Sequence, residues 1–273
     1  MITVIIPTYK PGAYLWKCLD SLESQTIDNS QYEVIVILNG CREPYLTNIA
    51  QGIGKYSMNI RIEQTDTAGV SNARNIGLDM AKGDYICFID DDDWVSDSYL
   101  QLLYAAIREE GHISVSNVEA INNYSGIKSK SFLSDVYMSL RHNKTVSLLR
   151  ARRLMSSSCC KMIPKDIIGN DRFDVSIVRG EDALFMAQIS HRIKGVDISE
   201  PNAVYYILLR PCSASRSPYK LNSALSDFFL LEYSYLKIYL SNMYKYNLFF
   251  FIGRFMAIFK GTLVKYLRLC LHL

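Results

Sequence analysis

The sequence predicts an α/β fold: a mostly parallel, doubly wound, Rossmann-like sheet flanked by helices, with a C-terminal helical extension. Three observations predict it. Short apolar, β-branched runs alternate with segments of helical period through residues 1–110. Each run stops at a loop rich in Pro, Asn, Gly or Asp. The end of the chain has a charge and aromatic content unlike the rest. The 273 residues are 49% apolar and 21% charged, with a net charge of +3. That composition excludes disorder, collagen-like repeats and a polytopic membrane protein.

Ile2 to Pro7 is a nearly continuous apolar run, as suits a strand buried on both faces, and it ends at Pro-Thr-Tyr-Lys-Pro-Gly. Leu15, Leu19 and Leu22 then recur at helical spacing. Tyr32 to Leu38 is the next buried strand, stopped by Asn39-Gly40, and Ile60 to Gln64 is the third. Ser71 to Ala81 reads as a helix, and Lys82-Gly83-Asp84 turns the chain into a strand over Tyr85 to Ile89. Ligands of such sheets sit outside the carboxyl ends of the strands, so chemistry is expected after Ile6, Leu38 and Ile89.

The loop after Ile89 is Asp90-Asp91-Asp92-Asp93-Trp94. Four successive carboxylates at the end of a buried strand repel one another where water cannot fully screen them. A divalent cation relieves this, and hard oxygen ligands favour Mg²⁺ or Mn²⁺. The competing reading is an acidic helix N-terminus, with Asp93 capping a helix that begins near Ser96. Residues two apart on a strand project to one side, which groups Asp90 with Asp92.

VIIPTY (4–9), LDSLESQT (19–26), YEVIVILNG (32–40), GVSNARNIGLDMAKGDYICFIDDDDW (69–94) and RGEDALF (179–185) occur in order and at matching spacing. Together they resemble the inverting family-2 glycosyltransferases of the GT-A fold, over roughly residues 2–215. The resemblance implies transfer of a sugar from a nucleotide-diphosphate donor, a UDP-sugar, to a glycan hydroxyl with inversion at the anomeric carbon. It places Pro7, Thr8 and Tyr9 at a uracil-like ring. Where the family carries Asp-Asp-Gly this chain has Leu38-Asn39-Gly40, and Asn39 offers a base edge both a donor and an acceptor. Gly69 opens the segment that crosses the donor phosphates. Arg74 is the expected diphosphate ligand, since a guanidinium binds phosphate oxygens bidentately. Asn72 and Asn75 orient that helix.

Asp90 and Asp92 match the family's Asp-x-Asp signature. The resemblance puts Asp90 at ribose or metal, Asp91 beside the donor and Asp92 on the Mn²⁺ or Mg²⁺ bridging the diphosphate. Asp182 is the implied general base, with Glu181 as the other candidate. Tyr205 to Arg210, followed by Ser213, Ser215 and Arg216, resembles a late segment that supplies Arg210 as a second diphosphate contact. Two other readings stand beside this one. A metal-dependent nucleotidyltransferase would ordinarily carry a glycine- and basic-rich phosphate loop after the first strand, and PTYKPGAY is a poor one. A non-catalytic nucleotide-sugar-binding scaffold is disfavoured by the presence of both Asp92 and Asp182.

The expected division is a catalytic domain over 1–220 and a tail over 221–273. Within the former, 1–110 binds nucleotide-sugar and 111–220 is the acceptor-side half, with a basic stretch at Arg141, His142, Lys144, Arg150, Arg152 and Arg153. No recognised nucleic-acid motif accompanies that stretch. The seven cysteines include no CxxC, which suits reduced thiols in a cytosolic setting, and Met1–Tyr9 lacks the features of a signal peptide.

From Ser226 to Leu273 six Lys/Arg stand against Asp227 and Glu232, so this stretch is +4 and the remainder about −1. Leu248, Ile252, Phe255, Phe259, Leu263, Tyr266 and Cys270 form one helical stripe; Arg254, Gly261, Lys265, Arg268 and His272 share another. The pattern suits a helix lying in the interface of an anionic membrane, with docking onto the catalytic domain or a dimer partner as the alternative. The expected placement is therefore cytoplasmic and peripheral on the inner membrane face. A lipid-linked acceptor would fit that placement, as in assembly of bacterial surface polysaccharides such as capsule or O-antigen.

Overall fold

The computed structural model describes residues 1–123, 126–129, 131–210 and 221–270. In chain order the elements are β1 (Ile2–Thr8), α1 (Tyr14–Glu23), β2 (Tyr32–Asn39), α2 (Tyr45–Gly52), β3 (Asn59–Thr65), α3 (Val70–Met80) and β4 (Tyr85–Phe88). There follow β5 (Trp94–Val95), α4 (Tyr99–Ala106), β6 (His112–Val115), β7 (Asn117–Asn122), β8 (Lys128–Ser129), α5 (Phe132–Leu140), β9 (Thr145–Val146) and α6 (Leu148–Ala151). The chain continues through β10 (Lys161–Pro164), α7 (Lys165–Ile168), α8 (Glu181–Ile189), β11 (Gly195–Ile198) and β12 (Val204–Leu209) to α9 (Leu221–Ser241) and α10 (Leu248–Cys270).

The main sheet runs β3-β2-β1-β4-β10-β6-β11-β9, and a smaller one runs β5-β12-β7-β8. The four strands expected from sequence form the parallel half. Every residue of β1 and β2 is buried, as their unbroken apolar runs require. Inside this layer Glu33 is satisfied by Thr3 Oγ1 at 2.8 Å, Arg61 Nη2 at 2.7 Å and the Lys82 amide at 2.8 Å. The other half is mixed. β10 runs antiparallel to both β4 and β6, and β9 antiparallel to β11.

In-register pairing of β1 with β2 and β4 brings Thr8, Asn39 and Asp90 to one edge of the sheet. Gly77 lets α3 close on that sheet, because a Cβ there would stand 2.4 Å from Ile5 Cγ2. Arg74, one turn earlier on α3, is thereby carried under the same edge.

The tail is a helical hairpin docked on the body. Tyr235, Phe250 and Phe251 are fully buried in the main core, and the Tyr246 hydroxyl donates to the Gln188 carbonyl at 3.0 Å. Arg254, expected on the polar stripe, is buried and donates to the Arg152 carbonyl. Leu248, Ile252, Phe259 and Leu263 of the expected apolar stripe are instead exposed. The periodicity identified an amphipathic helix, but the face that meets the body is the neighbouring one. Among the described residues no helix is long and apolar enough to cross a membrane. His272, Ser213, Ser215 and Arg216 lie outside the described residues.

Candidate functional site

The acidic loop leaves β4 and is anchored on three sides. Asp91 accepts from Thr8 Oγ1, at the end of β1. Asp93 is buried and accepts from the Leu208 amide of β12 at 2.9 Å. The Asp90 amide donates to the Tyr205 hydroxyl at 3.1 Å. Asp93 caps no helix: Trp94–Val95 forms β5 and the next helix begins at Tyr99. Burial raises the Asp91 carboxyl to about 7, with Asp92 and Asp90 adding to the rise and the Thr8 bond opposing it.

Beneath Asp90 lies a buried ion cluster. The Arg74 side chain is only 3% exposed. It donates to Asp90 Oδ1 at 2.9 Å, to Asp182 Oδ1 at 2.7 Å and to Glu181 Oε1 at 3.4 Å. Burial works against its charge, but Asp182 and Asp90 more than offset that, and the guanidinium is held charged. Arg74, expected on the donor diphosphate, therefore joins the acidic loop to the first turn of α8. Its committed geometry follows from α3 packing flush on β1, which no spacing rule in the sequence announces.

Asp182 has further partners. Ser158, fully buried, donates from Oγ to Asp182 Oδ1 at 2.8 Å, and Ser157 Oγ stands 3.4 Å from Oδ2. Lys161, also buried, fixes the serine segment by donating to the Ser157 and Cys159 carbonyls, the latter at 2.7 Å. Oδ1 is thus held by Arg74 and Ser158, leaving Oδ2 the less committed oxygen. Sequence reasoning missed Ser157, Ser158 and Lys161. Their only signal is a Ser-Ser-Ser-Cys-Cys-Lys run before an unrecognised strand. Glu181 is raised to about 7, first by burial and then by Asp182, against the pull of Arg74.

The remaining expected residues divide. Tyr9 is 51% exposed and lies over Gly40, whose φ of +87° suits glycine and where a Cβ would meet the Tyr9 ring at 2.8 Å. Pro7 and Thr8 are buried, so of the three expected at a base ring only Tyr9 presents a face. Asn39 is buried as well. Its amide donates to the Thr8 carbonyl at 2.8 Å and its oxygen accepts from the Gly69 amide at 2.9 Å, bracing the loops rather than offering a base edge. Gly69 has a φ of +140°, and a Cβ there would meet open space, so backbone conformation is what selects glycine. Asn75 ties α3 to the Phe173 backbone, and Asn72 donates to the Thr67 carbonyl at 3.3 Å. Arg210 packs over the Tyr14 ring at 4.4 Å and donates from Nε to Asp92 Oδ2 at 2.8 Å.

Asp90 and Asp92 suit a hard cation by chemistry, being oxygen donors in a crowded acidic loop. Among the described residues no group of three acidic, Cys or His side chains is placed to hold an ion alone. Mg²⁺ commonly uses only one or two protein carboxylates together with substrate phosphates. Five described cysteines are free and all but Cys41 are buried; burial pushes the Cys159 and Cys160 thiols up, away from thiolate chemistry. A cavity of about 740 Å³ opens near Asp84 and Tyr85, at the opposite end of β4 from the acidic loop.

A parallel α/β half with an acidic loop at its carboxyl edge, facing a Glu-Asp pair on α8, defines a GT-A-like fold. The chain belongs to glycosyl transferase family 2, whose model matches residues 3–169. It is 36% identical over 137 residues to glycosyltransferase GlyA of Streptococcus pneumoniae serotype 4, a match over 50% of this chain and 19% of that protein. It is 28% identical over 211 residues to the poly(ribitol-phosphate) beta-glucosyltransferase of Bacillus spizizenii, over 77% of this chain and 32% of the relative. The chain thus spans about a third or less of these two relatives. The structure of S. aureus TarS 1-349 with UDP-GlcNAc superposes with a TM-score of 0.71 at 22% identity, over 87% of this chain and 66% of that one.

Proposed function

We propose that this protein transfers a sugar, with inversion, from a UDP-sugar to a hydroxyl of a lipid-linked glycan in cell-surface polysaccharide synthesis. The observation that carries this reading is the juxtaposition of two acidic groups across one buried arginine: Asp90 at 2.9 Å and Asp182 at 2.7 Å from Arg74. One carboxylate belongs to the acidic loop that would meet the donor. The other belongs to the helix that would meet the acceptor. Family membership supports the reaction class, and relatives whose names describe polymer glycosylation support the acceptor class.

In this reading Tyr9 stacks on the base and Arg210 contacts the diphosphate. Asp92, with Asp90, would hold Mg²⁺ or Mn²⁺, which neutralises charge gathering on the leaving diphosphate. Asp182 Oδ2 takes the acceptor hydroxyl proton as the oxygen attacks C1. The new C–O bond forms while the C1–O bond to the diphosphate breaks, and its electron pair leaves with the nucleotide. Arg74 and Ser158 hold Oδ1 so that Oδ2 faces the hydroxyl, a requirement that comes before basicity.

The exposed apolar stripe of α10, with Phe229, Tyr233 and Leu240 of α9, supports a peripheral membrane role for 221–273 beside a catalytic unit over 1–220. The test is a screen of nucleotide sugars for donor binding and hydrolysis dependent on Mn²⁺ or Mg²⁺, with Asp92→Ala as control. Metal-dependent binding lost in that variant is expected; unchanged binding would remove Asp92 from the site.

A further inference from the structure

A cavity of about 280 Å³ separates the first turn of α8 from the tail hairpin. Gly180 and Ala183 border it on the α8 side; Phe228, Leu231 and Tyr235 of α9 and Arg254 of α10 border it on the other. Its volume is near the lower end of small-ligand pockets.

Arg254 is 7% exposed. It donates to the Arg152 carbonyl and lies 5.2 Å from the Phe250 ring centroid, yet its Nε is buried with no hydrogen-bond partner. Among the described residues no carboxylate pairs with it, and the nearby Arg152 opposes its charge. Lys161, within electrostatic reach, is a second buried cation; its hydrogen bonds go to carbonyls and Asp182 offsets part of its charge, which leaves Arg254 as the cation without a counter-charge. Asp227 also borders the cavity and has an interaction of its own. A buried cation without a counter-charge is costly, and an anion entering this cavity would supply one. The aromatic and leucine walls favour an anion that carries an apolar chain. Phe229 and Leu225, exposed beside Phe228, extend that apolar surface outward.

We propose that this cavity binds the phosphate of an amphiphilic acceptor, a phosphate ester on a single apolar chain, with Arg254 as its principal ligand. The idea rests on the lipid-linked acceptor reading above and deepens it. Gly180 and Ala183 share the turn that carries Asp182, so a phosphate held here would tether the acceptor within one helical turn of the general base.

The test uses the full chain and dodecyl phosphate, with inorganic phosphate and dodecyl maltoside as probes of each half of the recognition. Binding is read by titration calorimetry, and UDP affinity is read on the same samples. Dodecyl phosphate is expected to bind at least tenfold more tightly than either half-probe. Ala257 of α10 also lines the cavity, so Arg254→Met and the cavity-filling Ala257→Phe should each weaken binding at least tenfold with UDP affinity unchanged, while Arg254→Lys restores part of it. Retained dodecyl phosphate affinity in Arg254→Met would overturn the proposal. So would equal binding of inorganic phosphate. Vesicles of phosphatidylglycerol separate the two phosphate sources: if Arg254→Met abolishes vesicle binding while dodecyl phosphate fails to bind wild type, the site reads bilayer head groups and the proposal falls. Loss of UDP binding in wild type would instead count against the donor reading.

Discussion

Arg210 holds Asp92 across the acidic loop, its Nε donating to Oδ2 at 2.8 Å and its Nη2 donating to the same oxygen. A metal ion bound as proposed would compete with the guanidinium for that oxygen. The pair is partly exposed, 28% and 16%, so its contribution is about 1 kcal/mol, or roughly fivefold in an equilibrium. Arg210→Ala should therefore tighten Mn²⁺ binding in the absence of nucleotide by about fivefold, measured by calorimetry. Unchanged or weaker Mn²⁺ binding would mean that Asp92 is not the shared ligand.

In the proposed reaction Ser158, which donates to Asp182 Oδ1, is a positioning residue that acts through Asp182. Removing its hydroxyl leaves Oδ1 held by Arg74 alone and lets the carboxylate rotate. Ser158→Ala should lower kcat by about 10- to 100-fold with little change in acceptor KM. A rise in KM at constant kcat would instead assign Ser158 to acceptor binding.

Replacing Arg74 leaves Asp90, Glu181 and Asp182 crowded without their shared cation. Arg74→Met should lower folding stability by roughly 3–5 kcal/mol. Arg74→Lys should recover little, because an ammonium cannot span two carboxylates as the planar fork does. Urea unfolding of the three proteins checks this, and a wild-type midpoint for Arg74→Met would contradict it.

Glu181 links the cluster to pH. Its folded pKa of about 7 lies above the usual glutamate value, so the folded state binds this proton more tightly than the unfolded chain. Its contribution to stability is full below about pH 4.3 and is lost as pH rises to about 7. Asp182 and Asp90 strengthen that rise and Arg74 opposes it. Glu181→Gln should therefore gain stability relative to wild type between pH 5 and pH 8 in paired urea melts. A difference constant with pH would refute the assignment.

The parallel half of the fold was legible because β1, β2 and β4 are buried on both faces and show as apolar runs. β10 was not legible: it is four residues beginning with a buried lysine, and its place between β4 and β6 depends on long-range pairing. At the site, the acidic loop stood out as charge at the end of a buried strand, and the Glu-Asp pair, which alone reads as an acidic helix start, stood out through the family resemblance. The roles of Arg74 and Asn39 did not. Each side chain is turned inward by helix packing or loop bracing, which spacing along the chain cannot encode. The tail shows the same limit. Periodicity found both stripes of α10, but burial of Phe250, Phe251 and Arg254 was set by the surface they meet.

The central claim is that Asp182 is the base of an inverting transfer for which the acidic loop holds the donor. It is tested most directly by Asp182→Asn, with transfer rate and metal-dependent UDP-sugar affinity measured on the same protein. The amide still accepts from Arg74 and Ser158 but cannot take the proton. Transfer should fall by at least about 100-fold, the scale of general-base catalysis, with donor affinity close to wild type. Full transfer by Asp182→Asn would contradict the account.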